Sequence, residues 1–334
     1  ADQYMSESGI ELDESWTQMS SFSKASIDSD DFYIWEKKGR EGYEKLLGTY
    51  INFSSWRIRY AKFSGDINEK AEEYYVYLNH DGTLNQIGHK LPENKTGATL
   101  SKDQARDLAI DYIKKTYKLD SIDLDEISAE SMKLVNRKDW MFIFNDISSY
   151  EFGEIDSRIK VNISGDEVAL SNRYIHVPEE WSRLFKDDLT SKEILSTICY
   201  VLIAFFVLYA IANSISNWNK GGFDFPIFKL ALICFFALSF FNIFNSYPSI
   251  INGFSTAKPY MSQLLRDIIG SVIGSLITSS VLALIIGNLK NIKFEKFYKY
   301  SNFQIILLTV GAIGLIKFSM NVDQIAPIWI NISN

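Results

Sequence analysis

Two periodicities divide this chain. Up to about residue 183, apolar and polar side chains alternate over short runs such as WRIRYA and MFIFND, the period-two pattern of half-buried strands. Beyond it, apolar residues run on without interruption. Four stretches, 194–219, 230–257, 268–289 and 301–316, carry no charged side chain. A helix crossing a bilayer needs roughly 17 to 25 such residues. The pattern therefore predicts an all-α membrane domain over 184–334 with about four transmembrane helices, near 194–215, 230–250, 267–289 and 302–320. The fourth run is the shortest. It stops at Lys317, whose long stem can snorkel to the interface while Phe318 and Met320 complete the span; a re-entrant segment is the alternative.

The front part repeats itself. SWRIRYAKF followed by EEYYVYLNHDGTLNQIGHKLPE matches DWMFIFNDI followed by SRIKVNISGDEVALSNRYIHVPE, with Trp56 answering Trp140 and Pro92 answering Pro178. Asp81-Gly82 and Gly165-Asp166 supply tight reversals between strands. A helix precedes the second set: Ser101 is its N-cap, Asp103 lies in its first turn, and Ala105, Leu108, Ala109, Tyr112 and Ile113 recur at helical spacing. Residues 1–9 read as the end of an equivalent helix, followed by IELDES where the second copy has SIDLDE, so the chain is expected to begin partway through its first repeat. SDDFYIWEKKGREGYEKLLG is an insertion in the first copy and predicts an additional amphipathic helix. Residues 1–183 thus predict an α+β domain of two repeats, each a helix laid on a small antiparallel sheet.

Charge sharpens this division. The 334 residues carry net −7, but residues 1–183 hold 23 Lys and Arg against 34 Asp and Glu, while residues 184–334 hold 11 against 7. So acidic a front repels phosphate backbones and excludes nucleic acid as its partner. The basic cluster Lys290, Lys293, Lys296 and Lys299 after the third span predicts a cytoplasmic loop. Counting back through alternating spans puts the 242–266 loop and residues 1–183 outside the cytoplasm, in a multi-pass membrane protein. Lys258 and Arg266 on that outer side weaken the contrast. Export of the front needs a signal or an earlier span upstream of Ala1. Both cysteines, Cys199 and Cys234, fall in apolar runs, so the front is held by packing and not by disulfides.

Chemistry-bearing residues are sparse. His80 and His89 flank one predicted hairpin, but no metal-ligand spacing supports them, and structural roles are expected; His176 at a strand end reads as a surface residue. Ser21 and Lys24 have the spacing of a Ser/Lys hydrolase without a partner motif, and Glu179-Glu180 reads as a solvated face. Tyr74, Tyr75 and Tyr77 alternate as strand residues do. Asn52, Asn94, Asn162 and Asn331 begin glycosylation sequons that matter only in a eukaryotic secretory pathway. Gly270 and Gly274 form a GxxxG in the third span, read as packing within the bundle or as a dimer face. Asn242 and Asn245 are the modest polar groups that a transporter reading would need. No catalytic, cofactor-binding or metal-ligating residue is assigned, and the partners expected are the lipid bilayer and a peptide or protein at the front domain.

WRIRY, YYVYLNHDGTLNQIGHKLPENKTGATLSKDQARDLA, GDEVALSNRYIHVPEEWSR and GFSTAKPYMSQ together resemble the tandem PepSY-like region and following spans found ahead of bacterial CPBP-type intramembrane endopeptidases, relatives of CAAX prenyl proteases. The resemblance implies a sensory, substrate-gating and anchoring portion of such an enzyme. Its catalytic Glu-Glu-x-x-x-Arg and His-bearing helices are absent from this sequence: Glu179-Glu180 is followed by Arg183, one residue too close, and no His lies in the apolar half. A non-enzymatic, membrane-anchored envelope interaction protein or complex subunit is the alternative.

Overall fold

The computed structural model describes residues 1–23, 29–51, 54–120, 123–148 and 155–288. The predicted fourth span, the Lys290–Lys299 cluster, Lys24, Asn52 and Asn331 lie outside them. Two compact units form, one from Ala1–Ser182 with Pro248–Gln263, the other from Arg183–Tyr247 with residues 264–288.

The first unit holds two four-stranded antiparallel meanders of identical order. One comprises β1 (Thr17–Ser23), β2 (Ser55–Ala61), β3 (Glu73–Asn79) and β4 (Leu84–Lys90). The other comprises β5 (Leu124–Lys133), β6 (Lys138–Asp146), β7 (Asp156–Ser164) and β8 (Glu167–His176). In β6, alternation buries Trp140, Phe142 and Phe144 on one face, and β7 adds Ile159, Val161 and Ile163. Helix α4 (Lys102–Tyr117) covers that face with Ala105, Ala109 and Ile113, one stripe at i, i+4 and i+8. Alanines at the contact let the helix axis approach the sheet. Ser101 is its N-cap, as expected, and forms a capping box with Gln104: the Gln104 backbone N–H donates to Ser101 Oγ at 3.3 Å and the Ser101 N–H to Gln104 Oε1 at 3.0 Å.

The first repeat is thinner. Its helix α1 (Asp2–Glu7) buries only Met5, against Ile58, Tyr60 and Val76. After IELDES comes β1, TQMSSFS, too polar to stand out by periodicity: only Met19 and Ser21 on one face are buried. The insertion forms α2 (Ser29–Leu46), but not as one amphipathic helix: Gly39 at φ 62° breaks it into two pieces, a left-handed geometry that glycine adopts without steric penalty. Its apolar residues Tyr33, Ile34, Tyr43 and Leu46 pack with Ile155 and Ile175, so the insertion in repeat one covers the sheet of repeat two. The edges of the two meanders meet where β4 runs beside β8. A Cβ on Gly88 would stand 3.1 Å from Leu170 Cδ1, so a side chain at this position would oblige the Leu170 side chain to shift. A short helix, α3 (Ile67–Ala71), joins β2 to β3.

In the second unit, α5 (Glu179–Asn219) and most of α6 (Phe225–Asn252) and α7 (Tyr260–Gly287) are long and apolar enough to cross a membrane. At 1.5 Å per residue the uncharged part of α5 alone spans about 39 Å, against ~30 Å of hydrocarbon. Phe205, Phe206, Phe241 and Phe244 are each about two-thirds or more exposed, an arrangement that lipid stabilises and water does not. The chain is a multi-pass membrane protein with an α+β domain in front of its helices. At one end of these helices Trp218 stacks on Phe223, centroids 5.1 Å apart, with Phe225 and Phe228 beside them; Asn217 Nδ2 donates to Asn288 Oδ1 at 2.6 Å. Aromatic rings collect in this way at the headgroup level.

Candidate functional site

Period-two alternation puts Arg57 and Arg59 of β2 on the face opposite Ile58 and Tyr60. That face receives the last residue of α6 and the loop after it. Arg57 donates from Nε and Nη2 to Asn252 Oδ1 at 3.0 and 2.6 Å, and Asn252 Nδ2 donates to the carbonyls of Met19 and Arg57 at 3.0 and 3.1 Å. Arg59 Nη1 donates to the carbonyls of Asn252 and Phe254 at 2.9 and 2.6 Å. The closing carbonyls of a helix lack partners within the helix and carry its negative dipole end, so a guanidinium there is doubly favourable. Phe254 is buried and packs edge-on against Tyr260, which in turn meets Phe63. Gln263 closes the loop on itself, accepting from the Ser255 N–H and donating to the carbonyls of Ser255 and Lys258.

Behind Arg59 stands Glu73, its side chain only 3 % exposed; Arg59 Nε reaches Glu73 Oε2 at 2.6 Å. So deep an ion pair is held in place because breaking it strands a charge away from water. Glu73 also accepts from Tyr75 Oη at 2.6 Å and Lys90 Nζ at 2.9 Å. Burial alone would raise the Glu73 carboxyl, but hydrogen bonds from Tyr75, Arg59 and Lys90 outweigh it and hold the group below the usual carboxylate range. Burial beside Glu73 pushes the Tyr75 phenol up to about 12.

Tyr75 and Lys90 are walls of a groove of about 410 Å³ between the two repeats, lined also by Tyr77, Met132, Leu134 and Leu170. Its size lies within the range of small-molecule and peptide pockets, about 300 to 1,000 Å³. One contiguous set of contacts thus runs from the groove through Tyr75 and Lys90 to Glu73, then Arg59, then the carbonyls that end α6. Of the four stretches behind the family resemblance, WRIRY contributes both arginines, and GFSTAKPYMSQ is the loop they hold.

The histidines separate. His80 sits at the β3–β4 reversal, whereas His89 pairs with Tyr74 across the ladder and stacks on its ring at 4.0 Å. His89 Nε2 lies 2.9 Å from Glu72 Oε1 and Nδ1 lies 2.8 Å from Glu167 Oε1, so it ties β4 of one repeat to β8 of the other. His176 is half-buried at the end of β8, and Glu179-Glu180 forms the first turn of α5. Ser21 is buried in β1. Asn94 Oδ1 and Asn162 enter no arrangement of catalytic type, although the Asn94 carbonyl accepts from Asn136 and Asn162 lines the groove. A Cβ added at Gly270 or Gly274 would meet nothing within 4 Å among the described residues, and Asn242 and Asn245 lie inside α6. Asn252 was missed in the sequence because it looked like one more polar residue closing an apolar run.

No protein-family model, no curated protein and no solved structure matches this chain.

Proposed function

We propose that the chain is a membrane-anchored sensory and gating module: the groove between the repeats binds an extended peptide, and occupancy biases the arrangement of the spans. In the fuller form of this reading, residues 1–183 lie outside a bacterial inner membrane, and the gated activity is that of a CPBP-type intramembrane endopeptidase whose catalytic core is not part of these residues. What supports the gating role is the Tyr75–Glu73–Arg59–Asn252 series, because a ligand touching Tyr75 or Lys90 competes directly for the carboxylate that orients Arg59. A peptide can also pair along β5, an edge strand carrying the exposed Met132.

The test uses the full chain in nanodiscs and a panel of extended hexapeptides. Binding is expected to change amide hydrogen exchange at residues 253–259, and Glu73→Gln to retain binding while abolishing that response. If no peptide binds, the sensory reading fails. Binding that leaves 253–259 untouched removes the gating role and favours the alternative, a membrane-tethered interaction domain.

A further inference from the structure

A second, smaller site lies away from the groove. Arg173 of β8 holds its guanidinium over two tyrosine rings, 4.6 Å from the Tyr117 centroid and 5.4 Å from that of Tyr50. Both rings are themselves fixed: Tyr117 Oη donates to Ser171 Oγ at 3.0 Å, and Tyr50 Oη donates to the buried Asp146 carboxylate. A cation over a ring is attracted by the ring's quadrupole, which spends none of the guanidinium N–H groups on an oxygen acceptor. Arg173 has no hydrogen-bond or ion-pair partner among the described residues, in a front domain otherwise rich in carboxylates.

The guanidinium borders a polar cavity of about 80 Å³ lined by Gly48, Thr49, Asn85, Gln86, Tyr117, Ser171, Asn172 and Arg173. Arg173 is the single charged residue of that lining. One water needs roughly 10 to 15 Å³ on this measure, so the cavity takes a group of about five non-hydrogen atoms. Gln86, part of that lining, has a buried Oε1 that accepts no hydrogen bond among the described residues. Ser171 Oγ accepts from Tyr117 and keeps its own proton to donate. A rigid cation with a planar fork, a hydroxyl with a proton to donate and an orphaned acceptor all belong to residues of this one lining.

We propose that this cavity binds a small oxyanion that carries its own hydrogen-bond donor, the anion on Arg173 and Ser171, the donor on Gln86 Oε1. Two sources share that chemistry: hydrogen phosphate, with its P–O–H, and the terminal carboxylate of a peptide, with the adjacent amide N–H. The site draws on both repeats, since Gly48, Thr49, Asn85 and Gln86 belong to the first and Ser171 to Arg173 to the second. A bound anion therefore links them at a place distinct from His89.

Calorimetric titration of the detergent-solubilised full chain with sodium phosphate, N-acetylglycine, acetate and chloride, at constant ionic strength, tests this. Phosphate or N-acetylglycine is expected to bind at least fivefold more tightly than acetate or chloride, and whichever of the two binds better identifies the source. Arg173→Gln should weaken that binding by tenfold or more. Arg173→Lys, which keeps a cation against the tyrosine rings but loses the fork, should weaken it by a smaller factor and guards against loss of fold in the first variant. Gln86→Met should bring the preferred anion down to the level of acetate. No binding by either anion, equal binding by acetate, or unchanged affinity in both Arg173 variants overturns the proposal.

Discussion

Removing the Arg57–Asn252 contact isolates the interlock between β2 and the end of α6. Arg57 puts two N–H groups on the single oxygen Asn252 Oδ1, at 3.0 and 2.6 Å, in a half-buried setting. Hydrogen bonds to charged groups contribute about 1.5 to 3 kcal/mol net, so Arg57→Ala should destabilise the first unit by about 2 kcal/mol. Asn252→Ala loses the same interaction and also the two bonds from Nδ2 to the carbonyls of Met19 and Arg57, each about 1 kcal/mol, for about 4 kcal/mol in all. If the geometry is right the effects do not add: the double variant should resemble Asn252→Ala alone, with a coupling near 2 kcal/mol. The assay is urea unfolding of the full chain in micelles, followed by the fluorescence of front-domain tryptophans such as Trp16, Trp56 and Trp140. Hydrogen exchange at 253–259 should rise in parallel. A coupling below about 0.5 kcal/mol would refute the reasoning, because residues that share two short bonds cannot be energetically independent.

Other outcomes follow from the same contacts. Phe142→Ala empties the centre of the second repeat, where Phe142 is fully buried, and should lower stability by about 3 to 5 kcal/mol in the same urea assay. Ser101→Ala removes one side of the α4 capping box and should cost about 1 kcal/mol, with exchange rising first at the start of that helix. Glu73 and Glu72 are both held below the ordinary carboxylate value, in each case against burial, Glu72 by hydrogen bonds from Lys95 and His89. A depressed folded-state value means that their stabilisation is complete above the unfolded value, about 4.3, and is lost as pH falls through the lower folded one. Thermal unfolding midpoints should therefore hold between pH 7 and 5 and drop below about pH 4; a midpoint that rises on acidification contradicts the assignment. Gly88→Val should crowd the contact between β4 and β8, lowering the melting temperature and shifting the fluorescence of the neighbouring tyrosines, since the added atoms oblige the Leu170 side chain, 3.1 Å from the first of them, to move.

The features legible in the sequence are those whose cause is local. Three of the four predicted spans fall on α5, α6 and α7 because a bilayer demands uninterrupted apolar length, and length is written residue by residue. Ser101 and the Ala105, Ala109 and Ile113 stripe announced α4, and the alternation around Trp140 to Phe144 announced β6, for the same reason. Strand β1 was missed since its residues carry little hydrophobic signal, and the kink at Gly39 because a glycine inside an amphipathic pattern does not reveal its backbone angle.

What lay beyond the sequence is every contact between distant segments. Arg57 and Asn252 stand 195 positions apart, His89 and Glu167 stand 78 apart, and α2 covers the other repeat's sheet instead of its own. Arg173 is one charge among several in β8, and only the fold brings Tyr50 and Tyr117 to its guanidinium. Patterning along the chain determines which face of a strand or helix turns inward, because that is settled by periodicity. Which surface it then meets depends on the closure of long loops and on the complementary shape of partners far away, and only the tertiary structure decides that.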